Sequence, residues 1–206
     1  MPYILGLTGN IACGKTTVGL LLLELGAHVY VDADTVVHEL YGPGQPLVPR
    51  LAEAFGQQIV APDGSVDRRM LGNLVFGNPP MLRQLEQIVH PAVLSALSSR
   101  LYDIPEHGVG VLDAVKLVES GYAPLCHAVW LVTCDEATQI ARMMGSRGLT
   151  EADARARLAS QPSPEAKRGV VTEVIENDGS LDDVRQRVSA AWQRFVATLP
   201  GGEVSR

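Results

Sequence analysis

The run Gly9-Asn10-Ile11-Ala12-Cys13-Gly14-Lys15-Thr16 has the residue types and the spacing to hold a polyphosphate. Gly9 and Gly14 admit backbone angles that crowd other residues, so successive N–H groups can converge on phosphate oxygens. A helix beginning at Lys15 would add its positive N-terminal end. Lys15 would then reach the β- and γ-phosphates of a nucleotide, and the Thr16 hydroxyl would ligate magnesium. Cys13 lies inside the loop, where its backbone matters more than its thiol. A phosphoryl donor needs an acceptor, and Asp32-Ala33-Asp34 follows at the end of a strand-like run. A carboxylate there can take the proton of an attacking hydroxyl or join the magnesium shell. Asp32 is nearer the strand end and is the better candidate for that work. Asp34 also suits a helix cap before Thr35. Asp113 ends another apolar run, where an outer-shell magnesium role and a plain turn role both stand.

The elements around these residues are readable from hydrophobic period. Residues 2–8 form a short apolar run, residues 15–25 a helical stretch stopped by Gly26, and residues 27–31 a second strand ending at Asp32. Strand, turn, helix, strand is a βαβ unit, and its right-handed crossover implies a parallel sheet. Residues 35–107 read as several helices and no convincing strand, with Leu71, Leu74 and Val75 and then Leu82, Leu85, Ile88 and Val89 as periodic apolar positions. Strands resume at 110–114 and 128–133 as runs suited to burial on both faces. Residues 137–169 are helical and dense in cations: Arg142, Arg147, Arg155, Arg157, Lys167 and Arg168. A last strand at 170–175 leads to the turn Asn177-Asp178-Gly179, after which Ser180 caps a helix ending near residue 199. The tail, 200–206, is expected to fray.

Composition narrows the class. The chain has 206 residues, 46% of them hydrophobic and 19% charged, which suits one substantial core carrying insertions. A formal net charge of −6 opposes general nucleic-acid binding, which calls for a basic face. Cys13, Cys126 and Cys134 have neither paired nor metal-ligand spacing. No basic leader precedes the first strand, and the most apolar stretch is interrupted by Glu24, Gly26 and His28. The expectation is a reduced, cytoplasmic chain with no membrane partner, monomeric in its working form.

Beyond the cradle, the order of motifs becomes specific. Leu5-Gly6-Leu7-Thr8-Gly9 and Val31-Asp32-Ala33-Asp34 resemble the opening of the dephospho-CoA kinases. Asp67-Arg68-Arg69-Met70-Leu71-Gly72 with Val75-Phe76 resembles that family's helical substrate domain, and His90-Pro91 matches its H-P element. Gln161 and Lys167 resemble its Q-x5-K segment, and Val174-Ile175-Glu176-Asn177-Asp178-Gly179 its V-I-x-N-x-G segment. The resemblance spans roughly residues 3–198. It implies an α/β P-loop kinase fold: a five-stranded parallel sheet flanked by helices, with a helical substrate-binding insert and a helical lid. The implied single domain has its core at 1–34, 108–141 and 169–206, the insert at about 35–107 and the lid at about 142–168.

The implied activity is ATP-dependent phosphorylation of the ribose 3′-hydroxyl of dephospho-CoA, with Mg2+ accompanying ATP as co-substrate. Asp32 is the implied base, and Lys15 with the lid arginines Arg142 and Arg147 balances charge on the moving phosphoryl group. ATP then falls to Gly9, Asn10, Ile11, Ala12, Cys13, Gly14, Lys15, Thr16, Thr17, Arg142, Arg147 and Asn177, the last near the adenine. The acceptor falls to Thr8, Asp32, Asp34, Arg68, His90, Lys116, Glu119 and Arg157, and the metal to Thr16 and Asp32. Bland readings stand beside several of these. His90 before a proline suits a helix boundary or packing, Arg68 and Arg69 suit solvent, and Glu151 with Arg155 suits an intrahelical ion pair.

Three departures from the family pattern are visible. Ser146 replaces a lid arginine and Arg147 follows it; Val115-Lys116-Leu117-Val118-Glu119 replaces P-L-L-x-E, keeping Glu119; and the loop interior carries Asn10, Ala12 and Cys13 where glycines are usual. Lys116 therefore either meets phosphate or points to solvent. Two other readings compete: a kinase of the same fold acting on a nucleoside, nucleotide or sugar acid, and a GTPase-like switch or metal-insertion NTPase. The length of the insert disfavours the first. The second lacks N-K-x-D, with Thr133-Cys134-Asp135 near the place expected for it.

Overall fold

A computed structural model of the chain describes residues 2–161 and 164–200. The five described strands are β1 (Tyr3–Thr8), β2 (Val29–Asp32), β3 (Val109–Asp113), β4 (Ala128–Thr133) and β5 (Glu173–Glu176), in sheet order β2-β3-β1-β4-β5. The sheet is parallel throughout. Leu5 pairs with Val111 on one side and Ala128 on the other, and Leu131 pairs with Val174. β4 occupies the expected residues. β2 and β5 begin later than their apolar runs, at Val29 and Glu173. Val170 closes a 3-10 turn over Pro164–Val170 and remains outside the sheet. Periodicity marks where apolar residues lie, whereas a strand begins where a neighbour supplies hydrogen bonds.

The chain divides into two compact units, Met1–Val31 with Ile104–Arg206, and Asp32–Asp103. In the first, α1 (Lys15–Glu24) and α8 (Leu181–Thr198) pack with the sheet around a core of Leu5, Leu7, Val111, Trp130, Val188 and Trp192. Ser180 and Asp183 form a reciprocal capping box at the start of α8, which ends at the expected place. A small satellite core joins α6 (Glu136–Arg147) and α7 (Glu151–Ala159): Ile140, Met143 and Ala154 are buried against Ile11 and Ala12. The tail beyond Pro200 lies outside the described residues.

The second unit holds α2 (Ala33–Leu40), α3 (Leu47–Phe55), α4 (Arg68–Val75) and α5 (Pro79–Leu101). α5 packs against the other three. Its buried residues are Val89, Val93 and Leu97, spaced by one helical turn, while Leu82 is exposed. The expected apolar face is therefore displaced toward the helix C-terminus. α5 also continues through Pro91, so the His90-Pro91 pair is no helix boundary. Proline at that point removes one backbone donor, and the turns on both sides hold the helix across the gap. Among the described residues, no helix is long and apolar enough to cross a membrane.

Candidate active site

The first unit carries the loop expected to cradle phosphates. β1 ends at Thr8, and the loop that follows turns into α1 at Lys15. Gly9 has φ +150° and Gly14 φ +89°, which admit no ordinary side chain. A Cβ on Gly9 would lie 2.3 Å from the Val132 carbonyl oxygen, and one on Gly14 would lie 1.9 Å from Asn177 Nδ2. Ala12 also takes a left-handed conformation, φ +59°, where the family pattern favours glycine. That conformation costs an alanine about 1 kcal/mol. The neighbourhood holds it in place: the Arg142 guanidinium donates to the Ala12 carbonyl at 3.3 Å, and Ala12 packs in the satellite core.

Two distant side chains shape the same loop. Asn177, 4% exposed just after β5, donates from Nδ2 to the Cys13 carbonyl at 2.8 Å. Its own carbonyl accepts from Arg142 at 2.9 Å. Gln161 Oε1 accepts from the Ile11 N–H at 2.9 Å. The loop is thus fastened from β5, from α6 and from the end of α7. Cys13 is fully buried, and burial raises its thiol pKa, with Lys15 opposing. Burial likewise pushes Cys134 up to about 11 and Cys126 up to about 12. These thiols are therefore neutral near pH 7.

Lys15 opens α1 with its ammonium 4.0 Å from Asp113 Oδ1 at the end of β3. Asp113 is 4% exposed, and its Oδ2 accepts from the Tyr30 hydroxyl at 2.5 Å. The carboxylate therefore sits at the carboxyl edge of the sheet beside the cradle lysine, where ligands of open α/β sheets bind. Thr16 is exposed at the start of the helix. These oxygens suit a hard cation, which binds through few protein ligands plus substrate phosphates.

Thr8, buried, donates from its hydroxyl to the Val115 carbonyl at 3.1 Å. Lys116 is exposed, whereas Glu119 lies 3.6 Å from the ammonium of Lys167. Lys167 is 1% exposed, and its Nζ donates to the Val115 carbonyl at 2.6 Å and to Thr8 Oγ1 at 3.4 Å. Burial lowers its pKa, and Glu119 opposes that effect. Sequence reasoning counts Lys167 among the cations of the helical segment 137–169 read as a lid. The apolar Ala166 before it offers no sign that its ammonium is enclosed. Its only separate mark is the Q-x5-K resemblance.

Arg142, Arg147, Arg155 and Arg157 divide into three situations. Arg142 is engaged with the cradle. Arg147 and Arg157 are exposed on α6 and α7. Arg155 pairs with Glu151 at 2.9 Å and with Glu136 at 2.8 Å, so the intrahelical pair anticipated for it is present. Ser146 donates to the Arg142 carbonyl at 2.6 Å, within the helix.

The second unit carries the remaining candidates. Asp32, last in β2, accepts from Asp34 N at 2.9 Å and Thr35 N at 3.2 Å and so caps α2. The capping role anticipated for Asp34 belongs instead to Asp32, because the helix begins one residue earlier, at Ala33. Both hydrogen bonds use Oδ1. Asp34 is exposed in the first turn. Arg68 opens α4 behind the cap Asp67 and lies 3.3 Å from His38 Nδ1. His90 is half-buried on α5. His38 had no motif to mark it, and only the approach of α2 to α4 brings it to Arg68.

A family model described as dephospho-CoA kinase matches residues 3–183. A dephospho-CoA kinase of Symbiobacterium thermophilum is 44% identical over 97% of this chain and 84% of its own length. A Thermus thermophilus crystal structure superposes with a TM-score of 0.80 at 34% identity, covering 97% of this chain and 99% of its own. A dephospho-CoA kinase from Campylobacter jejuni shares the fold, with a TM-score of 0.58 at 24% identity over 94% of this chain and 97% of its own.

Proposed function

The chain belongs to the dephospho-CoA kinase family, and on that footing we propose that it transfers the γ-phosphoryl group of ATP to the ribose 3′-hydroxyl of dephospho-CoA, giving coenzyme A and ADP. The observation that carries this reading is the fastened cradle, with Lys15 held 4.0 Å from Asp113 at the end of β3. Backbone N–H groups of Gly9 to Thr17 and the α1 N-terminus bind the phosphates, and Lys15 balances charge as the β–γ bridging bond breaks. Asp32 takes the proton of the attacking hydroxyl. Its Oδ1 accepts the two cap bonds of α2, which fixes the carboxylate.

Arg142, bonded to the Ala12 carbonyl of the cradle, and the exposed Arg147 balance charge on the moving phosphoryl group as cations of the lid at about 142–168. Asn177 lies on the nucleotide side. Thr8, Asp34, Arg68, His90, Lys116, Glu119 and Arg157 are the residues read for the acceptor. The compact helical unit at 32–103 supports the reading of an insert for the larger substrate. Magnesium would be held by Thr16 and Asp32, with Asp113 outside them, and when bound would neutralise charge on the β- and γ-phosphates. The working form in this reading is a cytoplasmic monomer without nucleic-acid or membrane partners.

The test is mass spectrometry of the protein incubated with ATP, magnesium and dephospho-CoA, beside adenosine, nucleoside monophosphates and gluconate. The expected result is phosphorylation of dephospho-CoA alone. Asp32→Asn should keep ATP binding and lose turnover by about 10²–10⁴-fold. Phosphorylation of another acceptor would overturn the substrate assignment, and unchanged turnover in Asp32→Asn would remove the base.

A further inference from the structure

A buried ammonium needs a reason to be where it is, because removing a cation from water is costly unless its partners are well placed. Lys167 is 1% exposed, so it is sealed from bulk solvent and has no surface with which to touch a phosphate or an acceptor. Among the described residues its oxygen neighbours include the Val115 carbonyl at 2.6 Å, Thr8 Oγ1 at 3.4 Å and Glu119 Oε1 at 3.6 Å. Those oxygens come from two places that the chemistry must keep in register. Thr8 is the last residue of β1, immediately before Gly9 of the cradle. Val115 and Glu119 belong to the segment that leaves β3 just past Asp113. The Thr8 hydroxyl also donates to the Val115 carbonyl, so that carbonyl gathers both strand ends.

The lysine arrives from a third place. It lies in the 3-10 turn Pro164–Val170, between α7 and β5. Six positions earlier, Gln161 is bonded to the Ile11 N–H of the cradle. The return from the lid helices to the sheet is therefore tied down twice, once to the phosphate loop and once to the segment after β3.

We propose that Lys167 is a positioning residue for phosphoryl transfer: its buried ammonium clamps the Val115–Glu119 segment to the strand end that opens the cradle, and so aligns the acceptor side with the bound nucleotide. The proposal rests on the kinase reading above. The clamp works through Val115, Thr8 and Glu119, so its loss appears in acceptor-dependent turnover and leaves the binding of ATP intact. It also makes Glu119 part of the clamp in addition to any contact with substrate.

The test compares Lys167→Met and Lys167→Gln with the wild-type chain. It follows thermal unfolding, ATP affinity by titration calorimetry, and steady-state kinetics with dephospho-CoA. Met matches the length of the lysine stem and relieves the burial of charge, so the unfolding midpoint of Lys167→Met should stay level or rise. Its ATP affinity should stay within about threefold, as no cradle contact is removed. Its kcat with dephospho-CoA should fall about 10²-fold, the scale set by misplacing a reacting group. Adding Glu119→Gln to Lys167→Met should then cost less than Glu119→Gln does alone, since both act through one clamp.

Wild-type-like kcat in either folded variant overturns the positioning role, as does a loss seen only in ATP affinity. Failure of both variants to fold assigns Lys167 to structure alone and overturns it too. A wild-type chain that leaves dephospho-CoA unmodified sinks the kinase reading and this proposal together. Wild-type product with unaltered variant kinetics sinks only this one.

Discussion

The cradle of the parallel-sheet unit and the helices of residues 32–103 keep their polar side chains under opposite conditions. In the first, Asn177, Asp113 and Lys167 are 4%, 4% and 1% exposed, and each is bonded or ion-paired to groups far away in sequence. In the second, Asp34, Arg68 and Arg69 stand in solvent, and the bonds of Asp32 and Asp67 are local caps one turn long. A phosphate-binding loop must present its N–H groups already oriented, since orienting them at the moment of reaction would add to the barrier. Buried bonding supplies that orientation. Exposed side chains on short helices keep their rotamer freedom and their water, so each can contribute only modestly to whatever it binds.

The strongest way to break this contrast is Gly14→Ala. The new Cβ would meet Asn177 Nδ2 at 1.9 Å and would require a methyl-bearing residue at φ +89°. Stability should fall by about 2 kcal/mol or more, and ATP binding should be lost with it; chemical denaturation and calorimetry would show both. A variant that binds ATP normally would mean that the cradle is adaptable.

Arg68→Ala should behave differently, as an exposed residue of the helical unit. Its expected effect is a rise in KM for dephospho-CoA of about tenfold, from loss of a charge-assisted contact, with unfolding shifted by less than about 0.5 kcal/mol. A large stability loss with unchanged KM would place Arg68 in structure and remove it from the substrate set.

The smallest effect asks whether exposure, independent of the unit, sets the size of a response. Asp183 caps α8 in the sheet unit, yet it is a surface residue. The Ser180 hydroxyl, and then the Ser180 backbone N–H, hold its carboxyl below the usual carboxylate range. Because the folded value is lowered, the stabilisation is present in full above the ordinary value near 3.8 and is lost as pH falls through the lowered one. The gap in unfolding midpoint between the wild type and Asp183→Asn should thus be small at pH 7 and shrink as pH falls below the ordinary value near 3.8. A gap that widens in acid would contradict the sign.

Much of the cradle was legible because its information is contiguous. Gly9, Gly14, Lys15 and Thr16 sit within one loop, and the required backbone angles follow from residue type alone. The cap at Ser180 and the strand at 128–133 were likewise local, in a short hydroxyl-to-acid spacing and an uninterrupted apolar run. The starts of β2 and β5 were less legible, since an apolar run does not say where its neighbour's hydrogen bonds begin. The buried face of α5 was misplaced toward Leu82, because a periodic pattern shows that a face exists without showing how far the packed partners extend.

The amino-acid sequence by itself determined the glycine-bearing turn between the first strand and helix and the alternation of strands and helices, since each depends on neighbours within a few residues, and it determined the net negative charge by composition alone. Only the tertiary structure decided that Asn177 would hold the Cys13 carbonyl, that Tyr30 would meet Asp113 and that Lys167 would lie buried beside Thr8. Those partners are 164, 83 and 159 residues apart. The sheet order β2-β3-β1-β4-β5 brings their strand ends to one edge, and burial there turns an ordinary amide, phenol and ammonium into groups that must find a partner.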